Sequence, residues 1–189
     1  WDESSSKAHW KNRKPNQPFF SVFNFGITHE SQIWRQTNQP LLVKLETLTV
    51  PPIFPDTPEV RKDLAVNYSN LIRLDSQIGK VIEQLKAEGL YENSIIFFYG
   101  DHGGPFPRYK RALYETGIKV PLIVKFTGQK NASTLNDDFI SFIDFAPTVL
   151  SLANIRPPNI MQGKAQLGSY KTDKESEFIF ASSDRFDEQ

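Results

Sequence analysis

Residues 94–104 read Ser-Ile-Ile-Phe-Phe-Tyr-Gly-Asp-His-Gly-Gly, and the fold turns on how they are understood. Ser94–Tyr99 is rich in β-branched and aromatic residues, too short for a helix and closed by glycine. Those features predict a strand. Its unbroken apolar character predicts burial on both faces, as in sheets covered by helices on either side. Two further runs read the same way, Phe19–Phe25 (FFSVFNF) and Val120–Phe126 (VPLIVKF), the second with Pro121 near its start. A fourth strand is predicted over Glu177–Ala181.

Helices are predicted between these runs. Thr57 is an N-cap candidate, Pro58 suits the first helical position, and Glu59 suits the positive end of the helix dipole. From there Leu64, Tyr68, Leu71, Ile78, Ile82 and Leu85 recur at helical spacing, and Gly89 supplies a stop. A shorter helix is predicted over 144–153, entered through Asp144 and Pro147. Residues 1–18 read as a polar leader, and 35–57, with four prolines, as an extended loop. The alternation of strands and helices predicts an α/β fold: a three-layer α/β/α sandwich around a mostly parallel sheet.

Composition narrows the function classes. The 189 residues fit one domain with a real core. Lys+Arg and Asp+Glu are 22 each, so no basic excess exists to hold nucleic acid. Fifteen phenylalanines exclude a disordered chain. No apolar run approaches the ~20 residues of a membrane helix. The absence of cysteine removes disulfides, thiolate metal sites and a cysteine nucleophile. The phosphate-loop, dinucleotide, nucleophile-elbow and zinc-protease motifs are all absent.

In such sheets ligands bind at the carboxyl ends of strands. Asp101 and His102 stand there on a glycine-rich turn, adjacent oxygen and nitrogen donors suited to a divalent cation. The competing reading is a turn aspartate beside a solvated histidine. His29 follows the first predicted strand and reads either as a functional or as a structural histidine. Arg108, Lys110 and Arg111 put three cations in four positions, able to hold an oxyanion or simply to form a solvated loop. Asp75 falls on the apolar stripe of the long helix and reads as a structural cap. Asp137 and Asp138, which on a strand would point to opposite faces, read as loop or strand-edge charges. Of two glycosylation-like triplets, Asn67 lies in the helix, and Asn131 is the credible one in a secreted eukaryotic protein.

Taken together, these residues resemble the sulfatase family of the alkaline-phosphatase superfamily. The carrying stretches are Tyr68 through Asn93, Ser94–Phe97 with Asp101-His102-Gly103, Lys110 with Leu113-Tyr114-Glu115-Thr116-Gly117-Ile118-Lys119-Val120-Pro121, and Asp144-Phe145-Ala146-Pro147-Thr148. The resemblance runs over about residues 18–185, closest to the sulfamidase and heparan-type branch. It implies one partial catalytic domain over 1–189, inactive alone, of an enzyme that hydrolyses sulfate esters or N-sulfates on glycans. By that resemblance Asp101 and His102 are metal ligands, for Ca2+ first and Mn2+ or Zn2+ behind it. Lys110 binds a sulfate oxygen and His29 contacts the sulfate or the leaving oxygen; from the run of cations, Arg108 and Arg111 are expected to bind substrate. A periplasmic, lysosomal or secreted setting is implied, with a sulfated carbohydrate as partner, no nucleic acid and no membrane.

Two departures stand out. The family pair at 101–102 is usually Asp-Asn, so His102 blurs the choice of metal and ester. The formylglycine nucleophile, made from Cys or Ser in Cys/Ser-x-Pro-x-Arg, has no counterpart here, and the first-strand aspartates are missing as well. The chain opens on Trp1 and ends soon after an apolar run, which reads as a fragment with the nucleophile upstream. The rivals are a phosphonate or phosphodiester hydrolase of the same superfamily, and a non-catalytic α/β module holding an anionic glycan on Arg108, Lys110 and Arg111.

Overall fold

A computed structural model of the chain describes residues 2–129, 133–173 and 176–183. The chain divides into two units, residues 1–88 and 89–189. The fold class is α/β.

The first unit is organised by a long helix. A short helix α1 spans Ser31–Arg35 and packs against α2, Pro58–Ala87. The start of α2 forms as its sequence predicts: the Thr57 hydroxyl accepts the Val60 amide at 3.4 Å, satisfying one of the helix's orphan donors. Past its end, Gly89 takes a φ of +68°, the left-handed stop that glycine adopts without strain. Leu64, Ala65, Val66 and Leu85 are buried. Tyr68 and Leu71 of the predicted stripe are exposed, and so is Asp75, which therefore caps nothing buried.

The proline-rich segment is strapped to α2 by polar side chains. Buried Ser69 accepts the Leu42 amide at 2.9 Å while donating to the Ala65 carbonyl at 2.7 Å. Arg73 donates to the Pro40 carbonyl at 2.7 Å. Arg61 donates to the Leu45 carbonyl at 2.9 Å and pairs in bidentate fashion with Asp56. That pairing holds the Asp56 carboxyl below its ordinary range.

Residues 19–25 do not form the predicted strand. No neighbouring backbone offers them a ladder among the described residues. Their aromatic rings serve a different purpose. Phe19 stacks on Trp10 at 5.8 Å and Phe23 meets the same ring edge-on at 5.5 Å. Trp10, inside the polar leader, is 3% exposed, and its ring N–H donates to Glu88 at 2.7 Å. Lys11 pairs with the same carboxylate at 3.1 Å.

In the second unit, β1 (Ile96–Tyr99) and β2 (Leu122–Lys125) pair antiparallel, with Phe97 opposite Val124 and Tyr99 opposite Leu122. Both fall inside predicted strands. Among the described residues they are the whole sheet, and the mostly parallel arrangement is not present there. The reason is the connection: it folds back on itself through α3 (Glu115–Ile118), so β2 returns alongside β1 in the opposite sense. Residues 177–181 also lie outside any strand, with Phe178 and Phe180 exposed.

Helix α4, Phe145–Leu152, follows a 3-10 turn at Phe142–Asp144. Phe145 packs edge-on against Tyr99 at 4.9 Å and Phe142 at 5.1 Å, fixing the helix start against one face of β1. Asp137 and Asp138 are exposed loop residues, as their sequence predicts, and the Asp138 carboxylate accepts the Asn136 side-chain amide at 3.0 Å. Asn131 lies outside the described residues. No helix among the described residues is long and apolar enough to cross a membrane.

Candidate functional site

The chain leaves β1 at Gly100, whose amide donates to the Pro121 carbonyl at 3.2 Å. The next residues, Asp101 and His102, are released from the ladder at the carboxyl end of the strand. His102 Nδ1 lies 2.7 Å from the Gly103 carbonyl. A carbonyl can only accept, so Nδ1 carries the proton and the Nε2 of the neutral ring carries a lone pair. That Nε2 sits 3.6 Å from Asp101 Oδ1, beyond hydrogen-bond reach. In the neutral ring, two lone-pair atoms thus lie near each other without a hydrogen bond between them. The gap suits a cation.

The turn has a rigid floor. Gly103 donates to the Gly117 carbonyl at 2.9 Å. A Cβ at Gly103 would stand 1.9 Å from the Thr116 carbonyl oxygen, and one at Gly117 would stand 2.1 Å from that of Ala112. Only glycines let these two backbones cross so closely.

The same crossing ties down the basic loop. Lys110 donates its amide to the Gly104 carbonyl at 3.1 Å, which brings it beside the metal-type turn, half-buried. Arg108 and Arg111 flank it, both exposed and both in left-handed backbone, φ +66° and +69°. The Thr116 hydroxyl donates to the Arg108 carbonyl and holds that unfavourable conformation in place. The sequence reading missed Thr116 and the Gly103–Gly117 crossing. Their only signal was a Thr-Gly pair after Tyr114-Glu115, whose long-range partners no local pattern reveals.

The structure therefore brings Asp101, His102 and the Lys110 loop together within the second unit. His29 belongs to the first unit, on the turn before α1. Its Nδ1 accepts the Ser31 amide at 3.2 Å, so its ring carries the proton on Nε2. The two histidines hold opposite tautomers. Among the described residues no three His, Cys, Asp or Glu side chains gather in one place. Asp101 and His102 stand as a pair, with no third such side chain beside them among the described residues.

The family model described as Sulfatase matches residues 6–155. An ulvan-active sulfatase of Formosa agariphila is 41% identical, covering 99% of this chain and 37% of that protein. Human N-sulphoglucosamine sulphohydrolase is 32% identical over 58% of this chain and 22% of its own length. N-acetylgalactosamine-6-sulfatase of Canis lupus familiaris is 27% identical over 65% of this chain and 27% of its own. The chain thus spans between 22% and 37% of the length of these relatives.

Proposed function

The chain belongs to the sulfatase family, and from that premise we propose that the protein it forms part of hydrolyses sulfate esters or N-sulfates on glycans outside the cytoplasm. The observation that carries the site assignment is the convergence of Asp101 Oδ1 and His102 Nε2 at 3.6 Å. In the neutral ring both atoms can offer lone pairs, and Nδ1 of His102 faces a backbone carbonyl. These residues would hold a divalent cation, Ca2+ first, with further ligands from outside the pair. When bound, such an ion offsets charge on the sulfate oxygens.

Lys110 adds an ammonium for a sulfate oxygen, its backbone held beside the turn by its own amide. Arg108 and Arg111 present guanidinium groups to the rest of an anionic substrate. By the family resemblance His29 is assigned to the departing oxygen, where negative charge develops as the ester bond breaks. The chain has no Cys and no Ser in a Cys/Ser-x-Pro-x-Arg context, so the formylglycine nucleophile is assigned to the remainder of the longer protein. So are the missing strands of a three-layer α/β/α sandwich, against which β1 and β2 would pack. The relatives' names, which specify ulvan, N-sulphoglucosamine and N-acetylgalactosamine, support a sulfated carbohydrate substrate.

The test uses the longer protein with an aryl sulfate, an aryl phosphate and an aryl phosphonate in parallel. Sulfate turnover should dominate and fall with a chelator. His102→Ala should lower kcat/KM by about 10–100-fold, as losing a metal-ordering group does. Lys110→Ala should lower it by about 100–1000-fold. Turnover indifferent to the chelator and to both variants would remove the reading.

A further inference from the structure

The geometry points to a second, separate anion-reading subsite around Arg156, which takes a sulfated sugar unit; the inference rests on the glycan reading above. Helix α4 ends in a left-handed Asn154, φ +59°, and the Ile155 amide returns to the Leu150 carbonyl at 2.8 Å. The chain then runs Arg156-Pro157-Pro158. A residue before proline is confined to extended backbone, which limits the φ and ψ open to Arg156. Its guanidinium lies 4.9 Å from the ring centroid of Tyr170.

Tyr170 is itself fixed. Its amide donates to buried Ser151 at 2.8 Å, and the nearby Gly168, φ +86°, sits so close to α4 that a Cβ would come within 2.5 Å of Ser151 backbone. The stacked guanidinium makes no hydrogen bond or ion pair with another described residue. An arginine laid over a fixed ring, with its fork of N–H donors unspent, is matched to a sulfate or carboxylate group.

The surroundings select the class. Arg156 opens onto a shallow cavity of about 470 Å³, with Pro157, Pro158, Asn159, Met161 and Tyr170 on its walls. No carboxylate among the described residues lines it, so none there competes for the guanidinium. Flat proline faces suit the C–H face of a pyranose, and the Asn159 amide offers polar contacts to hydroxyls. A bare inorganic anion would use the guanidinium and leave those walls idle.

The experiment titrates the longer protein with a sulfated disaccharide, the same disaccharide without sulfate, and sodium sulfate. The sulfated form should bind at least tenfold more tightly than either of the others. Arg156→Ala should lose at least tenfold of that affinity, Arg156→Lys most of it, and Tyr170→Phe, which keeps the ring, very little. Arg156 is exposed and bonds to no other described side chain, so the variants should melt with the wild type. Arg156→Ala should leave aryl sulfate turnover unchanged, whereas Lys110→Ala should lower turnover by about 100–1000-fold and keep the Arg156-dependent binding. Sodium sulfate binding as tightly as the disaccharide, or Arg156→Ala binding like wild type, would overturn the subsite while leaving the sulfatase reading intact. Absence of aryl sulfate turnover in the wild type would instead strike the sulfatase reading.

Discussion

Two histidines in this chain are told apart by one hydrogen bond each. His102 spends its Nδ1 proton on the Gly103 carbonyl and keeps a lone pair at Nε2. His29 spends its Nδ1 lone pair on the Ser31 amide and keeps a proton at Nε2. Residue type alone could not separate an acceptor from a donor here. The same dependence on neighbours governs Gly103. Gly103→Ala would drive a methyl group into the Thr116 carbonyl, so it should cost about 3 kcal/mol or more and displace Asp101 and His102. Denaturant unfolding checks the cost, and a fall in metal affinity checks the displacement.

Glu88 gives a pH prediction at the same scale. The Trp10 ring N–H, then Lys11 and Gln84, hold its carboxyl down at about 2 from an ordinary 4.5, against a smaller opposing desolvation. A depressed carboxyl contributes stability that is full above pH 4.5 and fades as pH falls toward 2. Glu88→Gln should therefore be less stable than wild type at neutral pH, with the gap closing between those values. Trp10 fluorescence followed through unfolding at several pH values measures it. A gap that stays constant with pH would rule out the carboxylate as its source.

Among the elements, α4 and the turn before it work as a clip. Asp144, Thr148 and Ser151 each receive backbone from the segment that returns over the helix. Lys164 donates its amide to Asp144 at 2.8 Å, Gln166 to Thr148 at 3.0 Å and Tyr170 to Ser151 at 2.8 Å. All three acceptors are buried, so removing one strands a backbone N–H. Thr148→Val and Ser151→Ala should each cost about 1–3 kcal/mol. Amide hydrogen exchange should locate the loss at Gln166 or Tyr170 respectively.

What the sequence disclosed follows the range of the forces involved. Helix α2 was legible because its cap, its first-turn proline and its glycine stop act within a few residues. Strands β1 and β2 were legible because both are apolar runs ended by glycine or charge. Residues 19–25 were misread because an aromatic cluster around Trp10 and a buried strand demand the same composition. Trp10 itself was hidden in a polar context. The Asp101–His102 pair was legible as adjacent donors on a turn. The straps at Ser69, Thr116 and α4 were not, since each joins residues beyond the reach of a local pattern by a single hydroxyl or carboxylate.

At the scale of the molecule, the chain leaves much apolar surface uncovered, including Phe20, Trp34, Ile123 and Phe180. Its two strands form a sheet with both outer edges open among the described residues. The ulvan-active relative is matched over 37% of its own length. The 189 residues expressed alone should therefore self-associate and bind an apolar dye, and they should turn over no aryl sulfate. Saturable turnover by the isolated chain would show that it carries its own nucleophile.

The clip on α4 also decides where the chain can be cut. A protease must draw its substrate out as an extended ribbon, and a segment whose amides are already spoken for cannot comply. Tyr170 and Phe178 are equally attractive to chymotrypsin by chemistry. Tyr170 is tethered through its own amide to Ser151, whereas Phe178 and Phe180 stand exposed outside any helix or strand. Brief digestion should nick at Phe178 or Phe180 and spare Tyr170, and the Ser151→Ala protein should begin to yield there as well.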